Sequence, residues 1–378
     1  MTWDITGMAA VANVGATPGE IFAALCAGRE SRRPLMAFDP DKFRAVFAYE
    51  IDDRPEGGGD LPRRATRWLT TVVRQAAADA GLGEDLAQVP VLVGTTMREQ
   101  RSLELWWRDG ADLALEDLHF GTALKAAFGA STTYTFSNAC AASLYALGLA
   151  TDMIEAGLAD TVVVAGTDAA TEGGFGTLDR VQNDVPDALR PFDVTHKGML
   201  MGEGAAAVVV QRAGTGSRPT HARVRGVSMG CDAHHATAPD PGGITRAVLD
   251  AHRRAGVRAS DIDLVMLHGS GTPRNDQTES GVLRRIFQGT AAYPRMTAIK
   301  ATTGHTLGGS GLLSLVMAVL AMKNGTVPQV LGLTDPIPEA TGLGLVQGYP
   351  AAGAVNVAQV DAFGFGGINA VAIVEAAR

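Results

Sequence analysis

The sequence predicts an α/β protein with buried sheets, and three observations lead to that prediction. Short apolar runs with strand character recur at 91–94, 161–165, 205–210, 264–267 and 370–374. Longer runs with helical character lie between them, at 65–80, 142–156, 244–255 and 311–323. Segment 211–221 is rich in Gly, Ser, Thr and Pro, which is typical of a connection between two halves. Alternating strands and helices of this kind are typical of layered α/β folds.

Composition excludes several functional classes. The 378 residues are 46% hydrophobic and carry a net charge of −8, which argues against a nucleic-acid-binding protein. Three cysteines without a C-x-x-C pair indicate neither a disulfide framework nor a zinc site. The N-terminus lacks secretory-signal character, and the apolar run 310–322 is too short to span a bilayer. We therefore expect a cytoplasmic protein that binds neither nucleic acid nor membrane.

Cys140 is the candidate nucleophile. It lies in SNACAAS, directly before a helical run, where unpaired backbone N–H groups favour a thiolate. The alternative is a buried structural cysteine, which is common for an arbitrary Cys and is our expectation for Cys26 and Cys231.

Two histidines lie in glycine-rich segments. His268 follows the apolar run DLVML, and His305 lies in KATTGHTLGGSG ahead of a helical run. Catalysis and a hydrogen-bonded structural role are equally plausible for each. FGFGGINA, at 363–370, is either a tight turn or a movable gate with an oxyanion-binding N–H. The remaining isolated histidines are expected at the surface or at helix caps: His119, His196, His221 and His252.

Five sequence blocks carry a resemblance to the β-ketoacyl-acyl-carrier-protein synthases. They occur in that family's order, and the resemblance spans residues 5–376. The blocks are ITGM at 5–8, NACAAS at 138–143, RPFD with GEGA at 190–205, HGSGT with ND at 268–276, and K-x4-H at 300–305 followed by FGFGGINA.

The resemblance implies a thiolase-like five-layered αβαβα fold, with similar halves at 1–213 and 214–378. It implies that Cys140 accepts an acyl group, with the oxyanion held by the N–H groups of Cys140 and Phe365. His268 and His305 would then support decarboxylative condensation with a malonyl thioester. No metal or further cofactor is implied, because the substrates travel on the phosphopantetheine of an acyl carrier protein.

The resemblance also implies supporting residues. Lys300 and Glu279 match positions that support the histidines through a charged network, and an ordinary buried ion pair is the alternative. Ser270 and Thr272 match positions that bind the phosphopantetheine arm, and Phe365 matches the gating phenylalanine.

Four departures from the family pattern keep other functions open. Ser270 replaces a Thr, His196 and Lys197 replace Arg-Asp, and Ile368 replaces a Thr. The N-terminal half is also short, within 36–65 or 96–111. The alternatives are an acyltransferase without decarboxylation and a non-catalytic, chain-length-factor-like subunit, although the intact Cys140 argues against the second. A degradative thiolase is disfavoured because no cysteine follows Cys231.

The resemblance implies an acidic acyl carrier protein as partner and a homodimer, with a heterodimer as the alternative. Specialised biosynthesis is favoured over primary fatty acid synthesis. The candidate docking patches are Arg29 with Arg32 and Arg33, Arg63 with Arg64, and Arg253 with Arg254. Trp106 and Trp107 are expected in the core, or at a cavity wall if they face one.

Overall fold

A computed structural model describes residues 2–55 and 59–377. Within these residues the strands are β1 (Trp3–Ala12), β2 (Arg33–Pro34), β3 (Phe47–Ala48), β4 (Val91–Gly94), β5 (Thr133–Phe136), β6 (Thr161–Asp168), β7 (Gly204–Arg212), β8 (Ala222–Cys231), β9 (Leu264–Met266), β10 (Arg295–Thr297), β11 (Thr326–Val327), β12 (Ala351–Ala352), β13 (Val357–Gly364) and β14 (Ile368–Ala376). The α-helices are α1 (Pro18–Cys26), α2 (Arg64–Asp79), α3 (Gln100–Asp109), α4 (Phe120–Phe128), α5 (Ala142–Glu155), α6 (Glu172–Val181), α7 (Pro241–Ala255), α8 (Pro273–Phe287), α9 (Lys300–Thr303) and α10 (Ser310–Asn324).

Ten strands form two five-stranded halves with the same strand pattern. In the first half the spatial order is β5-β4-β6-β7-β1, and in the second it is β10-β9-β13-β14-β8. In each half the first three strands of that order pair in parallel and the last two pairings are antiparallel. The halves join where Trp3–Ile5 of β1 pairs antiparallel with 222–224 of β8.

Helices cover and separate the two halves. Helix α2 packs on β1, β6 and β7 of the first half, and α7 packs on β8 and β14 of the second. Helices α5 and α10 contact strands of both halves and each other, so they form a central layer. The result is five layers, helix-sheet-helix-sheet-helix, which is the thiolase-like architecture predicted from the sequence.

The predicted elements agree with the structure to within a few residues at each end. The five expected strands correspond to β4, β6, β7, β9 and β14, and the four expected helices to α2, α5, α7 and α10. The Gly- and Ser-rich connection lies between β7 and β8.

The most apolar helical stretch belongs to the core. Residues Leu307–Asn324 are long and apolar enough to cross a membrane, but 83% of that stretch is buried inside the protein. Burial inside the protein accounts for its apolar composition. The run 310–322 is therefore a core helix.

Close contact between β4 and α5 gives a stability test. A Cβ added at Gly94 would lie 2.3 Å from the Ser143 backbone nitrogen, so the backbone of α5 would have to shift. We expect Gly94→Ala to lower the free energy of unfolding by about 2–3 kcal/mol, measured by urea unfolding. The control is Gly281→Ala within α8, where a Cβ meets nothing within 4 Å. That variant should be neutral or stabilised by up to about 1 kcal/mol. Equal stability of the two variants would contradict this packing.

Candidate active site

Cys140 lies at the start of the central layer. A single helical turn, Ala139–Ala141, connects the end of β5 to α5, and Ala139 has a left-handed φ of 47°. The second half repeats this arrangement, since the turn Leu307–Gly309 precedes α10 and Leu307 has a φ of 46°. A non-glycine residue in this region costs about 1–2 kcal/mol, so each turn is held by its surroundings.

The two halves meet at the Cys140 thiol. His305 Nε2 lies 3.1 Å from Cys140 Sγ, and both side chains are buried. Burial raises the pKa of Cys140 to about 11, while the Lys300 charge and the N–H groups of Phe365 and Cys140 act in the opposite direction. The backbone N–H groups favour the thiolate, as the sequence predicts, but desolvation outweighs them and the pKa of the thiol shifts upward. The thiol needs a base, and His305 is in hydrogen-bonding contact.

The GEGA segment holds His305 through the backbone. The N–H of His305 donates to Leu200 O at 3.0 Å, and the N–H of Gly202 donates to His305 O at 2.9 Å. A Cβ at Gly202 would lie 2.3 Å from Thr303 O, so glycine is required for this approach. The GEGA block thus positions the imidazole that faces the thiol.

His268 lies beside His305 at the same point. Their rings are 5.5 Å apart and nearly perpendicular. Burial, reinforced by the Lys300 charge, lowers the pKa of both imidazoles well below the usual value. Both are therefore neutral at pH 7, and a neutral imidazole can donate one N–H to a developing negative charge.

Lys300 and Glu279 hold the backbone of His268 from two sides. Lys300 Nζ donates to His268 O, while Glu279 accepts the N–H groups of His268 and Gly269 at 2.7 and 2.9 Å. They form no direct ion pair, although the Glu279 charge acts on Lys300 through space. Burial lowers the pKa of Lys300 to about 8 and raises that of Glu279 to about 7.

Two cavities share Cys140 and Phe365 among their lining residues. One is lined by polar and aromatic groups that include Cys140, His268, Ser270, Thr272 and Phe365. The other, of about 420 Å³, runs from Cys140 past Phe365 along mainly apolar side chains and the glycines of α6. Phe365 begins a turn in which the next two glycines have φ near 80°. This position between two cavities suits a gate.

Comparisons with known protein sequences identify the family of the chain. The β-ketoacyl synthase N-terminal domain profile matches residues 4–215, and the C-terminal domain profile matches 221–334. 3-Oxoacyl-[acyl-carrier-protein] synthase 2 of Coxiella burnetii is 30% identical over 97% of this chain and 96% of its own length. The tetracenomycin polyketide synthase ketoacyl synthase alpha subunit of Streptomyces glaucescens is 31% identical over 98% and 96%. The chain belongs to the β-ketoacyl synthase family.

Solved structures extend the likeness to the whole fold. The ishigamide ketosynthase/chain length factor superposes with a TM-score of 0.87 at 28% identity, covering 99% of each chain. A β-ketoacyl synthase from Burkholderia phymatum gives 0.85 at 25% identity, covering 100% of this chain and 99% of its own. The predicted family, thiolase-like fold and condensing-enzyme function are thereby confirmed for this β-ketoacyl synthase.

One buried carboxyl group of this β-ketoacyl synthase was missed by sequence reasoning. Asp168, at the end of β6, accepts N–H groups from Thr96, Met97 and Gly308 at 2.7–2.9 Å, together with the Thr95 hydroxyl. It ties the loop after β4 to the turn before α10, so it braces the halves beside Cys140. Burial raises the pKa of Asp168 to about 7. An acidic residue directly after the apolar run VVVAGT was the available signal.

Other sequence expectations are corrected. His252 is buried and bonds Gln359. The side chain of His196 is 7% exposed and bonds Asp276, so neither imidazole lies at the surface. Cys231 is exposed rather than buried. Trp106 and Trp107 are 48% and 82% exposed, so neither belongs to the core.

The proposed docking arginines are mostly engaged within the chain. Arg64 is buried and pairs with Glu203 at 2.7 Å, so it is excluded as a docking residue. Arg29 donates to a backbone carbonyl. The other five pair with carboxylates: Arg32, Arg33, Arg63, Arg253 and Arg254.

The neutral histidines predict acid sensitivity. In the unfolded chain an imidazole takes up a proton near pH 6.5, whereas His305 when folded does so only at much lower pH. The free energy of unfolding therefore decreases as the pH falls through the pKa of an imidazole in the unfolded chain. The decrease is about 1.4 kcal/mol per such histidine between pH 7.5 and 5.5. Urea unfolding at both pH values should show that His305→Ala reduces this loss by about that amount. Replacing the exposed His234 by Ala should leave the loss unchanged, and an unchanged loss in His305→Ala would contradict the neutral-histidine assignment.

Proposed function

We propose that this β-ketoacyl synthase condenses acyl groups through Cys140, His268 and His305. The observation that supports this most directly is the 3.1 Å contact between Cys140 Sγ and His305 Nε2, with the His268 ring 5.5 Å from that of His305. These groups come from both halves and meet where two cavities converge.

The first step is acyl transfer to the thiol. Cys140 Sγ attacks the carbonyl carbon of an acyl thioester while its proton passes to His305 Nε2. The N–H groups of Cys140 and Phe365 receive the oxyanion, in keeping with their effect on the thiol. Collapse breaks the original C–S bond, and the departing pantetheine thiolate takes up the proton.

The second step is decarboxylative condensation. Loss of CO2 from a malonyl thioester leaves an enolate, whose oxygen accepts hydrogen bonds from the neutral His268 and His305 imidazoles. The enolate carbon attacks the acyl carbonyl, the C–S bond to Cys140 breaks, and the thiolate takes up one proton from solvent, which balances the charge of the lost malonyl carboxylate. Burial lowers the pKa of both histidines and keeps them neutral, the Lys300 charge reinforces this, and Lys300 also holds the His268 carbonyl.

Carrier-borne substrates would enter past Ser270 and Thr272. Their hydroxyls are 2.9 Å apart and line the polar cavity, where they would bind the pantetheine amides. The neighbouring surface cavity is lined by Lys197 and Arg274 together with Asp184. Lys197 also pairs with Asp187 at 3.4 Å, so Arg274 is the cation that suits an acidic carrier protein better. The Coxiella burnetii relative carries the acyl carrier protein in its name. The cytoplasm is the compartment we expect for this chemistry, with no cofactor beyond the carrier.

Strand β5 would form the dimer contact. It lies at the end of the sheet with β4 as its partner strand, and Tyr134 in it is 51% exposed. An open edge can pair with the same edge of a second copy about a twofold axis. A homodimer follows, and the alternative is a heterodimer with a related subunit, as in the ishigamide ketosynthase/chain length factor.

Intact-mass analysis with acyl thioesters and malonyl carrier protein tests the proposed reaction. We expect wild type to add one acyl group at Cys140, then release CO2 and a β-ketoacyl product. Cys140→Ala should acquire no acyl group. His268→Ala should still acylate but condense about 10²–10⁴-fold more slowly, because one enolate donor is lost.

Two outcomes would contradict the condensing function. Acylation of wild type without CO2 release indicates an acyltransferase that uses an amine or alcohol acceptor. Failure of Cys140 to acylate with any donor indicates a non-catalytic subunit that requires a partner.

Sedimentation velocity tests the dimer contact. Wild type should sediment as a dimer at micromolar concentration, and Tyr134→Lys should be monomeric because it places a charge on the shared edge. Tyr349→Lys is the control, since Tyr349 is 85% exposed and lies outside the sheet edge. A dimeric Tyr134→Lys would exclude β5 as the contact, and a monomeric wild type would favour the heterodimer.

A further inference from the structure

A buried histidine–aspartate pair lies next to the proposed pantetheine segment. His196 Nδ1 is 3.0 Å from Asp276 Oδ2, and the two side chains are 7% and 0% exposed. His196 follows the RPFD block, at a position where the sequence departs from its family. Asp276 lies in the first turn of α8, and its N–H donates to Thr272 O at 3.0 Å.

Asp276 accepts hydrogen bonds from two segments whose backbone is left-handed. Its carboxylate accepts the N–H of Phe192 at 2.9 Å and the N–H of Gly271 at 3.2 Å. Phe192 and Gly271 have φ values of 64° and 76°, so both lie in the left-handed region. Asn275 Nδ2 also donates to Asp276, at 3.2 Å. The carboxylate therefore fixes the turn that carries Ser270 and Thr272.

A carboxylate that is shielded from solvent needs hydrogen-bond donors in place of water, so the loss of one donor is costly. Within residues 2–55 and 59–377, Asp276 contacts four N–H donors, and His196 supplies the one side-chain donor that comes from outside α8. Removing the imidazole would leave Oδ2 with one backbone donor, and the carboxylate would have to reorient. Gly271, bound through Oδ1, would move with it.

We propose that His196 is a positioning residue for segment 270–272 and that it acts through Asp276. This inference rests on the proposed role of Ser270 and Thr272 in binding pantetheine. His196 touches neither Cys140 nor the two catalytic histidines, so its effect falls on substrate binding rather than on the thiol.

The test compares acylation by an acyl pantetheine with alkylation by iodoacetamide, which needs no pantetheine site. In His196→Ala we expect KM for the acyl pantetheine to rise at least fivefold. The rate of Cys140 alkylation should change less than twofold. His196→Asn should keep KM within twofold of wild type, because its amide nitrogen replaces Nδ1. The control is His221→Ala, which removes a second His–Asp pair, with Asp79, far from the site in sequence and fold.

If His196→Ala does not fold, His196→Leu fills the same space without a donor and carries the same expectation. A KM within twofold of wild type in a folded variant would overturn the proposal. An alkylation rate that falls in parallel with acylation would also overturn the proposal, because it indicates that the whole active site, including the thiol, is disturbed. A wild-type protein that no acyl pantetheine acylates would overturn the proposed function, and this inference with it.

Discussion

Two central helices, one from each half, begin at the same place, and the candidate site depends on that convergence. Helix α5 follows the turn that carries Cys140, and α10 follows the equivalent turn just after His305. Both turns begin with a left-handed non-glycine residue, which costs about 1–2 kcal/mol each. The packing of α5 and α10 between the sheets is large enough to hold both turns in that conformation.

Burial then determines the chemistry at the convergence point. Desolvation keeps the Cys140 thiol and both imidazoles neutral, and the Lys300 charge strengthens this for the histidines while opposing it for the thiol. A neutral thiol beside a neutral imidazole can pass a proton without a net charge entering the site. The same dry surroundings strengthen any hydrogen bond to an oxyanion or enolate.

Much of this was accessible from the sequence because the relevant residues lie in contiguous blocks. The nine predicted elements were correct because apolar periodicity reports burial directly. The blocks around Cys140, His268 and His305 identified the candidate residues, although no spacing revealed that they meet. Contacts between residues far apart in sequence were missed: Asp168 with Gly308, and His196 with Asp276. The sequence indicated the backbone N–H groups that favour the thiolate, whereas the burial that raises the thiol pKa depends on contacts between the two halves and could not be predicted from it.

The most direct test of the account is a crystal structure of the protein with an acyl group on Cys140. We predict that the acyl carbonyl oxygen lies within about 3 Å of the backbone nitrogens of Cys140 and Phe365, as hydrogen-bonding geometry requires. The acyl chain should occupy the apolar cavity beside α6, leaving His268 and His305 free to face a second substrate. A carbonyl oxygen directed at His268 or His305, or a chain that occupies the polar cavity with Ser270 and Thr272, would contradict the assigned roles.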